Sequence, residues 1–136
     1  MALKASEIKI GDTYSECLVE DLKRTQIVQY AGASGDYNPL HTDEIFTTKM
    51  AGYPTVFAHG MLTMGMTGGM LTNYVGDGRL TKYGVRFTNQ VWPGDTLNST
   101  ATVESLDGDV VRLVVETKNQ DGATVLSGYA EARVDD

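Results

Sequence analysis

An aspartate and a histidine stand five residues apart in Gly35-Asp36-Tyr37-Asn38-Pro39-Leu40-His41. Pro39 fixes its own φ and keeps Asn38 out of the helical region, so this segment turns rather than extends. The arc is short enough to hold a carboxylate and an imidazole on opposite sides of one water molecule. An imidazole changes charge near neutral pH, so such a pair can take a proton from water and return one elsewhere. The spacing fits a plainer arrangement equally: Asp36 caps the following turn and His41 hydrogen-bonds to backbone.

A second candidate is Ala58-His59-Gly60-Met61, at the start of an apolar stretch. The first N–H groups of a helix have no internal partner and carry the positive end of its dipole. A carbonyl oxygen placed there finds donors for developing negative charge. Gly60, lacking a side chain, would let a ligand approach; its other use is to relieve crowding at the helix entrance. A metal held by Asp36, His41, Asp43 and His59 is chemically conceivable. No HExxH or CxxC pairing supports it, and no metal is expected. Without GxGxxG or GxxxxGK[ST], no nucleotide cofactor is expected either.

The elements that must position these groups are legible in outline. Residues 61–74 form a helix without a polar face, since Met61, Leu62, Met64, Met66, Met70 and Leu71 surround it. Gly65, Gly68 and Gly69 weaken a helix interior, which points to a strand or ligand close to its backbone. Before it, a short strand is expected over 14–22, a helix over 26–33 with Thr25 as its N-cap or a first-turn residue, and a short helix over 43–49. The two loops carrying Asp36, His41, His59 and Gly60 are expected to converge. After Gly76-Asp77-Gly78 the pattern alternates with period two. Val85, Phe87, Asn89 and Val91 form one face, then Leu97, Ser99, Ala101 and Val103, then Val111, Leu113 and Val115, and finally Leu126, Gly128, Ala130, Ala132 and Val134. Pro93-Gly94, Asp107-Gly108 and Asp121-Gly122 stand at hairpin spacing, so the four strands are expected to form a meander covering the central helix. This is an α+β domain.

At 136 residues the chain fits one domain over residues 1–136. Its formal charge of −7 opposes binding to a phosphate backbone, so no nucleic-acid partner is expected. The central helix is too short for a membrane span. A lone Cys17 and no secretory pattern at residues 1–10 lead us to expect a cytoplasmic protein.

Tyr30-Ala-Gly-Ala-Ser-Gly-Asp-Tyr-Asn-Pro-Leu-His41, followed by Ala58-His-Gly-Met-Leu62, Val85-Arg-Phe-Thr88 and Pro93-Gly-Asp95, resembles the MaoC-like (R)-specific enoyl hydratases and dehydratases. It looks most like the catalytic subunit of a heterodimeric (3R)-hydroxyacyl-ACP dehydratase. The resemblance implies a hot-dog fold, a long helix wrapped by an antiparallel sheet, working as a homodimer or as a heterodimer with a related hot-dog subunit. It implies catalysis by Asp36 and His41 with Gly60 as oxyanion donor, and contacts to an acyl-CoA or acyl-ACP thioester from Asn38, His59, Met61 and Thr67. Relatives carry a serine where this chain has Gly68, beside Thr67. A thioesterase and a non-catalytic acyl-thioester binder are the other readings such a domain allows. For docking an acidic carrier protein, Arg79, Lys82 and Arg86 are the candidate basic cluster.

Overall fold

The computed structural model describes residues 2–136. The alternating segments form strands as expected: β2 (Leu80–Phe87), β3 (Leu97–Asp107), β4 (Val110–Lys118) and β5 (Thr124–Arg133), preceded by β1 (Thr13–Val19). Leu97, Ser99, Ala101 and Val103 of β3 are buried, as are Val111, Leu113 and Val115 of β4 and Leu126, Ala130 and Ala132 of β5. These inward positions make the floor of the core.

The strand order is β1-β3-β4-β5-β2, antiparallel throughout. Only β3, β4 and β5 form a meander. β2 pairs with β5 on the far edge, from Phe87↔Leu126 to Leu80↔Ala132. Pro93-Gly94 is therefore no hairpin turn; it lies in a linker, residues 88–96, that runs from one side of the sheet to the other. Local bonds hold it, with Asp95 Oδ2 accepting from Trp92 N (2.9 Å) and Gly94 N donating to Leu22 O (2.7 Å). Asn89 and Val91, expected on a strand face, belong to this linker. Where β2 crosses β5, Gly128 is required: a Cβ there would lie 2.0 Å from Gly84 O.

The first helix, α1, runs Arg24–Ser34 with Lys23 as its N-cap, which places Thr25 in the first turn. Gln26 Oε1 accepts from Lys23 N at 2.8 Å, which fixes the start at Arg24. It ends at Gly35 in the left-handed region (φ 77°), which turns the chain toward Asp36. The short helix after His41 begins with Asp43 Oδ1 accepting from Phe46 N (3.0 Å) and widens into a π turn over Phe46–Met50.

The central helix α2, Gly60–Val75, packs one face on the sheet through Thr63, Thr67, Met70, Leu71 and Val75. It is not apolar and buried all round. Met61 is 55% exposed, and Gly65, Gly69 and Asn73 lie on the same open stripe. Of the three interior glycines only Gly68 meets a neighbour, the Tyr83 ring at 3.3 Å from a built Cβ. Two threonines, Thr63 and Thr67, face the core. Thr67 Oγ1 reaches Thr117 Oγ1 (2.8 Å), which donates to Ser99 Oγ (2.9 Å). Among the described residues no helix is long and apolar enough to cross a membrane.

Candidate active site

Three hydrogen bonds assemble the loop that carries Asp36 and His41. Asp36 Oδ1 accepts from Asn38 N (3.2 Å), Asn38 Oδ1 from Leu40 N (3.0 Å), and Asn38 O from His41 N (3.1 Å). The result is a single turn of 3-10 helix, Pro39–His41, with Pro39 in its first turn. Asp36 and Asn38 stay exposed at its lip while His41 is turned inward, only 9% exposed.

The second loop locks onto the first. Phe57 N donates to Leu40 O (3.2 Å), and His41 Nδ1 lies 2.6 Å from Phe57 O. A carbonyl only accepts, so Nδ1 carries the proton and Nε2 keeps its lone pair. His59 does the reciprocal thing, its Nε2 lying 3.0 Å from the backbone oxygen of Asp36. The two imidazoles stack, with centroids 3.7 Å apart, and Tyr30 meets the His59 ring edge-on at 4.8 Å. Ligand atoms of Asp36, His41 and His59 all fall within 4.8 Å of one another. The convergence expected of these loops is what the structure places there.

Burial holds the His41 pKa below its ordinary 6.5, and neighbouring His59 lowers it further, against the Phe57 carbonyl and the Asp36 charge, which raise it. His41 is thus a neutral imidazole at pH 7, with a free nitrogen beside a carboxylate. Each histidine gives one nitrogen to a carbonyl, which leaves His41 Nε2 and His59 Nδ1 as the nitrogens that keep a lone pair.

Gly60 opens α2, and no side chain caps that helix, so its first N–H groups are available. A Cβ on Gly60 would lie 2.9–3.1 Å from carbons of the Phe87 ring. Crowding is therefore real here, and Phe87 fills the space a side chain would take. The two rings of Phe57 and Phe87 join Gly60, Thr63 and the linker residue Val91 around a cavity of about 260 Å³. Asp36 and His41 adjoin it through Phe57 rather than lining it.

Met61 projects into the open beside Gly60. Thr67 does not join the cluster; it is fully buried and hydrogen-bonded to the sheet. Of the candidate basic cluster, Arg79 is paired with Asp135 (2.7 Å) and Lys82 lies 3.8 Å from Glu131. Sequence reasoning missed the Phe57 carbonyl, which no side-chain pattern announces, and Thr63, whose place at an inward helix position was the available signal.

A helix laid across a five-stranded antiparallel sheet defines a hot-dog domain, with the Asp36, His41 and His59 cluster and an uncapped helix start at one end. Residues 6–125 match the family described as MaoC like domain, and the chain belongs to that family. It is 44% identical over 69 residues to 3-hydroxyacyl-thioester dehydratase Y of Mycobacterium tuberculosis, covering 48% of this chain and 24% of that protein. It is 38% identical over 104 residues to the peroxisomal enoyl-CoA hydratase 2 of Arabidopsis thaliana, covering 74% of this chain and 32% of that one. The chain thus spans about a quarter to a third of the length of these curated relatives. The solved R-hydratase PhaJ1 from Pseudomonas aeruginosa superposes with a TM-score of 0.85 at 26% identity, over 99% of this chain and 87% of that one.

Proposed function

We propose that this chain is a hydro-lyase that adds water to trans-2-enoyl thioesters with (R) selectivity, or removes it from (3R)-hydroxyacyl thioesters. The observation that carries this is the pairing of the Asp36 carboxylate with a neutral His41 whose Nδ1 is fixed on the Phe57 carbonyl. In hydration, Asp36 and His41 hold a water, and His41 Nε2 takes a proton as the water oxygen bonds to C3. The C2=C3 electron pair moves toward the thioester oxygen, where the Gly60 N–H at the α2 terminus stabilises the enolate-like charge. The proton taken up by the Asp36–His41 pair is then delivered to C2, which completes the addition of one water, and dehydration follows the same path in reverse. Asn38 and Met61 flank the entrance as substrate contacts, while His59 acts by holding the Asp36 backbone and facing His41.

A second hot-dog subunit, identical or related, is the partner we propose; the open Met61–Gly65–Gly69 stripe of α2 and the half-exposed Phe87 support it. The exposed, unpaired Cys17 supports a reducing compartment such as the cytoplasm.

The test is loss of the enoyl-thioester absorbance when the purified chain is given crotonyl-CoA, with chiral analysis of the product. Formation of (R)-3-hydroxybutyryl-CoA is expected. Release of free thiol instead would replace this reading with a thioesterase, and no turnover until a related hot-dog subunit is added would make the chain one half of a heterodimer.

A further inference from the structure

Among the described residues, two buried side-chain polar atoms have no hydrogen-bond partner, and both stand at the start of α2: His59 Nδ1 and Thr63 Oγ1. Buried polar atoms are almost always paired, and a helical threonine ordinarily returns its hydroxyl to the carbonyl one turn back. Thr63 is 2% exposed and does neither. It lines the cavity of about 260 Å³ that Gly60 and Phe87 also line, whereas His59 does not. The other threonine on this face, Thr67, has its partner in Thr117, so a core-facing hydroxyl on α2 can be satisfied by the sheet when no ligand is in question.

Gly60 and Thr63 lie one helical turn apart, about 4.5 Å along the axis. A thioester whose carbonyl oxygen rests on the Gly60 N–H therefore carries its next polar group toward Thr63. In any pantetheine thioester that group is the amide two methylenes beyond the sulfur. We propose that the Thr63 hydroxyl binds this first pantetheine amide, which coenzyme A and carrier-protein thioesters share. This rests on the thioester reading above. The hydroxyl is sealed from solvent in the chain alone, and the Phe87 ring lines the same cavity.

Thr63→Val keeps the shape and removes only the hydroxyl. Calorimetry with butyryl-CoA, which has no alkene to hydrate, reads the contact without turnover. Binding weaker by about three- to tenfold is expected, the range for one neutral hydrogen bond, with Thr63→Ser restoring it. kcat/KM for crotonyl-CoA falls by a similar factor, while that for S-butyl thiocrotonate, which lacks the amide, is unchanged. The melting temperature of Thr63→Val is not lowered, because the lost group had no protein partner. Equal losses with both thioesters, unchanged butyryl-CoA affinity, or no butyryl-CoA binding by the unaltered chain would each overturn the proposal. If butyryl-CoA binding depends on Thr63 and yet neither crotonyl thioester is hydrated, the subsite stands and the hydratase reading falls.

Discussion

His41 and His59 lie face to face, their ring centroids 3.7 Å apart and their planes 23° from parallel. Each gives one nitrogen to a backbone carbonyl of the opposite loop's neighbourhood, His41 to Phe57 and His59 to Asp36. The stack thus ties the acid–base loop to the start of α2. Two imidazolium rings at this separation would repel, so the arrangement favours at least one neutral ring.

That preference sets the acid limb of the pH profile. Desolvation first, and then His59, holds the His41 pKa below 6.5. The base form is active, so kcat/KM is lost as pH falls through a value under 6.5. Asp36 raises the His41 pKa, so in Asp36→Asn the limb of any residual activity moves to lower pH. In His59→Gln it moves up. Stability follows the same sign: the unfolded chain binds the proton more readily, so His41's contribution is present above 6.5 and is lost as pH falls through its depressed folded value. Rate and melting profiles between pH 4 and pH 8, roughly the span in which histidines titrate, check both.

Asp36→Asn tests the carboxylate with little risk to the fold. Asp36 is exposed, and an asparagine oxygen can still accept from Asn38 N. Turnover should fall by at least about 100-fold, the low end for an acid–base group, with stability changed by less than about 0.5 kcal/mol. A rate near that of the parent would remove Asp36 from the mechanism.

Gly60 has two roles that one substitution cannot separate. Gly60→Ala drives its Cβ into the Phe87 ring and should cost about 1–3 kcal/mol. In Gly60→Ala/Phe87→Ala that clash is gone, and stability should match Phe87→Ala alone. The rate should remain about tenfold or more below that of Phe87→Ala, because the added methyl still obstructs approach to the helix N–H. Full recovery of the rate would leave Gly60 as a packing residue only.

The hydroxyls of Thr67, Thr117 and Ser99 form a chain that ends on Glu116 O at 3.3 Å. Thr117 donates to Ser99, so Thr67 donates to Thr117. Thr67→Val removes the outer donor and should cost about 0.5–1.5 kcal/mol. Thr117→Val breaks the middle and strands both neighbours, at about 1–3 kcal/mol. kcat/KM should be unchanged in either variant; chemical denaturation and the crotonyl-CoA assay together decide.

The candidate site was legible in the sequence because its determinants are local. Asp36, Pro39 and His41 sit in one turn, and His59-Gly60 begins one helix. The plain alternatives were also right as structure: Asp36 does cap a turn, His41 does bond to backbone, and Gly60 does relieve crowding. These roles hold the candidate groups in place, so they do not compete with the proposed chemistry. What stayed hidden was non-local. Pro93-Gly94 reads alike in a hairpin and in a linker that crosses the sheet, and nothing near β2 names β5 as its partner. Thr67 could have been read correctly from Ser99 and Thr117, polar residues at inward positions of otherwise apolar strand faces, which need a partner across the core.

The far-edge placement of β2 also orders the events by which the chain acquires its shape. β3–β4 and β4–β5 close over short turns, whereas β2 must find β5 across the whole meander. Local contacts form sooner than distant ones, so the meander is the early structure and docking of α2 and β2 comes after it. The loops of the candidate site, anchored on α2 and on the linker through Ala58 N to Val91 O, follow that docking. Core substitutions in β4 should therefore slow refolding, while those at the His41–His59 stack should chiefly speed unfolding. Chevron measurements on Leu113→Ala and His59→Gln would show it, and a chain caught before the last step would hold its sheet and lack its activity.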